Sequence, residues 1–312
     1  MSNPHPDIRF AWRNEIDPQR WDHRIETSPH GLIYAKTGWL DMMAENWSAL
    51  IEGDYERVMP LPWKRKYGFY YLYQPYFIKS LGVFGPTDQP FEISAFLHKI
   101  PDRYIYWDID LNECNFVSHA DRELKLCQYG RTNYFLPLGK NYETLARQYK
   151  RLAARMMRKA TESQLVVSRE ADPSQIISLY RKGYAARHPR ITGAVYEKLI
   201  RASEAAMANN EAEAWVTLTS DGRIAAYYLV LKDERFIYSL LGGSTEEGKT
   251  LGAFYFLTDA IIRRHAGSGR VFRFEGSDIP GVSFFDALFG PEKMSYPHLV
   301  MNHLPFPFRL FK

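Results

Sequence analysis

The sequence predicts an α/β (α+β) chain of two domains in tandem, each a mixed, mostly antiparallel sheet flanked by helices. Three observations carry this. The 312 residues exceed what one core usually organises. The order of strand and helix signals restarts near residue 140. In both halves, apolar and aromatic runs are broken by turn residues at hairpin spacing, as successive antiparallel strands require. The expected domains are 1–140 and 141–312.

In the first half, "IRFAW" reads as a strand, and Asp17-Pro18 as a helix start, with Asp as cap and Pro in the first turn. The run "SALIEGDYERVMPLPWKRKYGFYYLYQPYF" is cut by Gly-Asp and by Lys-Tyr-Gly into a meander. "FEISAFLHKI" reads as a helix and "YIYWDIDL" as a strand. In the second half, residues 142–160 place Leu145, Tyr149, Leu152 and Met156 on one helical stripe, with Arg147, Lys150, Arg151, Arg155 and Arg158 on the other side. Two more helices, "PSQIISLYRKGYAAR" and "AVYEKLIRASEAAMA", precede three apolar runs separated by Ser220-Asp221-Gly222 and Lys232-Asp233-Glu234. Those turns again imply an antiparallel meander. A helix over 253–265, a strand in "VFRFEGS", a short helix at 282–289 and a tail complete the chain.

Composition excludes several classes. Apolar residues at 46% and charged residues at 24% fit a packed globular protein rather than a disordered one. A net charge of +4, spread along the chain, argues against nucleic acid as a ligand of the whole surface. The opening "MSNPHPDIRFAW" has neither a basic start nor an apolar core, and no later apolar run reaches about 18 residues. A cytoplasmic protein without a membrane span is expected. Cys114 and Cys127 read as reduced structural thiols. His298 and His303, separated by four residues, lack the helical context of a zinc pair, so no metal is expected.

One motif stands out. Residues 243–250, "GSTEEGKT", fit the phosphate-binding loop of nucleotide triphosphatases, G-x-x-x-x-G-K-[ST]. In those enzymes the loop follows the first buried strand of a parallel sheet. Here it follows the third strand of a meander, with about 60 residues left, too few for the remaining units of such a domain. Nucleotide hydrolysis is therefore not expected. The local arrangement, a strand ending in Gly242-Gly243, a polar loop and a helix with Ala253, Phe256, Leu257, Ala260 and Ile261 on one face, still suits an anion at a helix N-terminus.

Helices, a meander, then strand, glycine loop, helix, strand and helix is also the order of the Gcn5-related N-acyltransferase fold. The chain resembles the FemAB-like or tandem acyltransferase group of bacterial proteins. Three stretches carry the resemblance: "YETLARQYKRLAARMMRKATESQLVV", "FEGSDIPGVSFFDALFG" and "YQPYFIKSLGVFGP". It implies two acyl-coenzyme A N-acyltransferase-like domains, with acyl-coenzyme A as donor substrate and a small-molecule or peptide amine as acceptor. Many FemAB-like proteins instead take an aminoacyl group from charged tRNA. A binding protein that keeps the fold without the donor loop's function is the further alternative.

The resemblance implies a donor loop at Gly243, Gly248, Lys249, Thr250, Leu251, Gly252 and Ala253. Neither Thr245-x-x-Gly248-x-Thr250 nor Lys249-x-x-Gly252-x-Phe254 fits the [QR]-x-x-G-x-[GA] of single-domain members. Acyl transfer to an amine needs a neutral amine, a polarised carbonyl and a proton for the leaving group, but no nucleophilic side chain. Glu275 and Asp278, at the end of the last strong strand, are the candidate base or amine-binding carboxylates; the other reading of Gly276-Ser277-Asp278 is a turn and helix cap. Tyr238 and Tyr296 are candidate proton donors. Gln74, Tyr76 and Lys79, in a loop dense with aromatics, are candidates for an acceptor cleft. The basic face at 147–158 reads as a solvated surface or as a cradle for the phosphates of a donor or a tRNA.

Overall fold

A computed structural model describes residues 7–118, 124–184, 189–275 and 278–311. The start of the chain, the end of "GYAAR" and the turn expected at Gly276-Ser277 lie outside the described residues.

In chain order the elements are β1 (Ile8–Trp12), α1 (Pro18–Thr27), α2 (Thr37–Met43), β2 (Asn46–Glu52), β3 (Arg57–Lys66), β4 (Phe69–Tyr73), β5 (Phe91–Glu92), α3 (Ser94–Leu97), β6 (Tyr104–Asp110) and β7 (Asn115–Phe116). Then follow β8 (Cys127–Pro137), α4 (Tyr142–Ala146), α5 (Arg151–Glu162), β9 (Val166–Ser168), α6 (Pro173–Tyr184), α7 (Gly193–Ala208), β10 (Ala212–Leu218), β11 (Ile224–Lys232) and β12 (Phe236–Ser244). The chain ends with α8 (Glu246–Leu251), α9 (Ala253–His265), β13 (Val271–Arg273), α10 (Pro280–Asp286) and β14 (Glu292–Asn302). This is a mixed α/β architecture with mostly antiparallel pairing, as the sequence predicts.

The chain divides into two compact units, Met1–Arg131 with Ser295–Lys312, and Thr132–Met294. In the first, the strand order is β1-β2-β3-β4-β6-β14. In that order β4 and β6 run parallel and the other described pairs antiparallel, while β5 and β7 pair in parallel as a separate two-stranded sheet. One face buries Leu50, Met59, Leu72, Trp107, Ile109 and Leu299 with Phe96 and Leu97 of α3. Helix α1 starts where expected, since the Asp17 carboxylate accepts from the amides of Gln19 and Arg20 at 2.9 and 3.2 Å and Pro18 needs no partner. The β3–β4 hairpin turns on Tyr67-Gly68, both at positive φ, as the tightest hairpin turn demands.

The second unit has the order β8-β13-β12-β11-β10-β9, with β12 and β13 parallel and the other pairs antiparallel. Its main core joins one sheet face, including Ala226, Tyr228, Val230, Ile237 and Phe272, to Ala153 and Ala160 of α5 and Ala253, Leu257 and Ile261 of α9. The helix expected at 142–160 is two. The Lys150 amide bonds the Leu288 carbonyl at 2.8 Å, and the Gln148 side chain abuts Gly290, so packing against the segment after α10 breaks the helix at 147–150. The tail also differs from expectation: residues 292–302 form β14, and His298–Asn302 pair with Tyr106–Asp110 of β6.

Candidate active site

The second unit opens where two parallel strands part. Strand β12 pairs with β13 only over Phe236–Tyr238, whereas it pairs with β11 as far as Ser244. Beyond Arg273, the chain of β13 follows β8, with the Phe274 amide on the Tyr134 carbonyl at 3.0 Å. From Ser239 to Ser244, one edge of β12 therefore has no strand partner among the described residues. Since peptide groups along a strand point alternately to its two sides, about half of those in this stretch face the opening. The register also slips: Leu241 faces Leu229 and Ser239 faces Val230, which leaves Leu240 as a bulge. A bulge re-aims backbone groups and is over-represented beside active sites.

Around this opening lie several polar groups. Glu275 sits on the β13 side at φ 51, a conformation uncommon outside glycine. Its Oε1 accepts from Arg273 Nε at 3.1 Å and its Oε2 from Asn133 Nδ2 at 3.3 Å. The Arg273 side chain is 1% exposed, and its guanidinium carbon lies 4.5, 5.1 and 5.9 Å from the ring centres of Phe135, Phe236 and Tyr238. A buried charge of that kind requires its carboxylate. Asp278 is exposed and accepts from the Thr132 amide at 3.3 Å. The Ser239 hydroxyl accepts from Tyr228 at 2.7 Å, and the hydroxyls of Tyr134 and Ser283 are 2.8 Å apart. Burial pushes the Tyr228 phenol far above its ordinary range. Tyr238, opposite Arg273 in the β12–β13 register, is fully buried, and its hydroxyl donates to Asp233 at 2.5 Å, at the turn between β11 and β12.

The loop 243–253 is built by packing. The Thr245 hydroxyl accepts from the Gly248 amide at 3.0 Å and caps α8. A Cβ on Gly248 would stand 1.8 Å from the Ala225 carbonyl oxygen, and one on Gly252, at φ 75, 2.4 Å from the Met156 carbonyl oxygen. Lys249 is half-exposed and pairs with Glu246 at 2.5 Å, while Thr250 donates to the Glu247 carbonyl at 2.7 Å. This is not the inward-facing lysine of a nucleotidase. Glu246 and Glu247 occupy the first turn of α8, so carboxylates already complement that helix end. The α9 end, at Ala253, follows Gly252 directly. Both carboxylates are paired, Glu246 with Lys249 and Glu247 with Arg223 at 2.7 Å, so the cations beside the loop are already engaged.

Other positive charge lies on α5 and on the segment between α4 and α5. Arg147, Lys150, Arg151, Arg155, Arg158 and Lys159 are all exposed, and no carboxylate of the described residues pairs with them. The opposite face of α5 places Ala153 and Ala160 in the core, where small residues let α9 approach.

The first unit holds the expected cleft residues. Gln74 is committed to the fold, its amide donating to Ile78 at 2.9 Å and accepting from the Asp110 amide at 3.1 Å. Tyr76 is exposed, and the Lys79 ammonium lies 5.6 Å from the Tyr296 ring centre. Two features there have no clear sequence signal. His298 Nδ1 is 3.0 Å from Asp110 Oδ1, whose other oxygen accepts from Arg131 at 3.0 Å. An open cleft of about 570 Å³ is lined by Trp12, Arg13, Asp41, Glu45, Trp47 and Trp63. In the second unit Arg273 was not singled out from the sequence; its pairing with Glu275 depends on the turn of the chain at Glu275, beyond the end of β13.

Residues 143–278 match the acetyltransferase (GNAT) domain family. No curated protein matches the chain. Among solved structures, FemX superposes with a TM-score of 0.67 at 14% identity, covering 95% of this chain and 98% of that one. L-PGS from Bacillus licheniformis gives 0.54 at 11%, covering 95% of each chain. The tandem GNAT protein from the clavulanic acid biosynthesis pathway gives 0.52 at 12%, covering 94% of this chain and 98% of that one. Residues 143–278 thus match the acetyltransferase (GNAT) domain model, and over nearly its whole length the chain shares its fold with FemX and with a tandem GNAT protein.

Proposed function

We propose that the protein is an N-acyltransferase that joins an acyl group to an amine at the opening between β12 and β13. The single observation that carries this is the free edge of β12 with its bulge at Leu240, beside Glu275. Backbone N–H groups on that edge can polarise the acyl carbonyl and hold the oxyanion of the tetrahedral intermediate. The amine attacks the carbonyl carbon, loses a proton to Glu275, and the leaving oxygen or sulfur departs with a proton. Arg273 Nε, 3.1 Å from Oε1, and Asn133 Nδ2, 3.3 Å from Oε2, hold the carboxylate in place for that transfer.

For the donor we favour an aminoacyl-tRNA over acyl-coenzyme A. Six exposed cations on α5 and the segment before it, without a carboxylate partner among the described residues, suit a polyphosphate backbone, whereas at the loop Lys249 and Arg223 are already held by Glu246 and Glu247. FemX, alike in fold over nearly its whole length, supports the reading only at the level of fold. Acyl-coenzyme A is the second reading, because the β12 edge also suits the amides of its arm. The test is binding to each donor by the native protein and by Arg151→Glu with Arg155→Glu. The aminoacyl-tRNA reading requires tRNA binding that the double variant loses; coenzyme A binding unaffected by it, without tRNA binding, supports the second.

A further inference from the structure

We propose that the first unit docks on an anionic lipid surface through the tip of the β3–β4 hairpin and the C-terminal turn. Tyr67, at the hairpin tip, is 74% exposed and Phe306 82% exposed. Both are far more open than large aromatics usually are. Phe308 joins the two segments, its ring centre 6.0 Å from that of Tyr67 and 5.4 Å from that of Phe69. The turn selects against this choice of residue: Tyr67 holds φ 53, at a position where Asn, Asp or Gly is the favoured occupant. A tyrosine held there projects a ring into solvent without contributing to the core.

The charge around the rings identifies the partner. Arg65, Lys66 and Arg309 are exposed, and no carboxylate of the described residues pairs with them. The Arg65 guanidinium lies 5.2 Å from the Tyr70 ring centre and the Lys66 ammonium 5.1 Å from that of Tyr67, so the cations rim the aromatic patch. Tyrosine and phenylalanine rings enter the boundary between headgroups and acyl chains, while Lys and Arg meet acidic headgroups. No helix of the described residues is long and apolar enough to cross a membrane, and the patch is built to rest on one.

The test is co-sedimentation of the full chain with vesicles of phosphatidylcholine containing phosphatidylglycerol, against phosphatidylcholine alone. It needs no acyl transfer, so its outcome is independent of the donor. The native protein should partition onto the acidic vesicles. Arg65→Gln with Lys66→Gln should weaken this about thirtyfold, five- to sixfold for each cation. Tyr67→Ser and Phe306→Ser should each weaken it about fivefold or more, with unchanged circular dichroism because both rings are exposed. Absence of sedimentation, or native partition by the folded variants, overturns the proposal. So does a patch that serves nucleic acid instead, shown by tRNA binding that Tyr67→Ser weakens while vesicles are not bound.

Discussion

Glu275→Gln should lower both turnover and stability, and the structure fixes the sizes separately. The Glu275 carboxylate pairs at 3.1 Å with an arginine whose side chain is 1% exposed, so removing its charge takes a counterion from a buried cation. Breaking a buried pair costs about 3–5 kcal/mol. Gln keeps one oxygen for Arg273 Nε, but its NH2 then faces the Asn133 amide, whose own oxygen is taken by the Tyr134 amide at 2.8 Å. The expected loss is about 3 kcal/mol, near the low end of that range. For a unit of this size it lowers Tm by about 6–12 °C. Turnover per folded molecule should fall about 10²–10⁴-fold if Glu275 takes the amine's proton. Calorimetry gives the first quantity and single-turnover transfer to a saturating amine the second. Adding Arg273→Met removes the stranded charge and should recover much of the Tm without restoring turnover. A Tm within about 1 °C of native for Glu275→Gln would refute the buried-pair argument. Native turnover would remove Glu275 from the chemistry.

Three further outcomes follow from particular contacts. Burial pushes the Glu213 carboxyl up, but hydrogen bonds from His265 and Lys232 outweigh it and hold it down to about 2, against an ordinary 4.5. A depressed carboxyl stabilises the fold above its unfolded value, so about 3 kcal/mol should be lost as pH falls from near 4.5 to 2, and urea titrations of Glu213→Gln should lack that loss. Gly248→Ala would set a Cβ 1.8 Å from a backbone oxygen, so chemical denaturation should show a loss of about 3 kcal/mol or more. Calorimetry should detect no Mg-ATP binding, and Lys249→Ala should leave the protein unchanged, because that lysine pairs with Glu246 in solvent.

Much of the fold was legible because local signals and packing agreed. "IRFAW", the Asp17 cap and the helix 253–265 stand where their spacing predicts. Residues 292–302 read as a tail because "EKMSYPHLVMN" carries Pro and polar residues, and its later part, His298–Asn302, is held as a strand by β6, far away in sequence. The break at 147–150 comes from Leu288 and Gly290, contacts invisible to a helical stripe. At the site, Glu275 could be named from its place at a strand end. The parting of β12 from β13 and the bulge at Leu240 could not, because both are properties of register. Tyr238 shows the limit of residue type: a tyrosine on the right strand points its hydroxyl to Asp233, in the turn between β11 and β12.

Donor binding tests the central claim most directly. Filter binding with a pool of aminoacylated tRNA, repeated over a range of salt, should give saturable binding that weakens steeply with ionic strength and is lost in Arg151→Glu with Arg155→Glu, while coenzyme A gives no thermal shift. A thermal shift with coenzyme A or acetyl-coenzyme A, together with tRNA binding absent at low salt, would contradict the aminoacyl-tRNA reading and assign the β12 opening to a thioester donor.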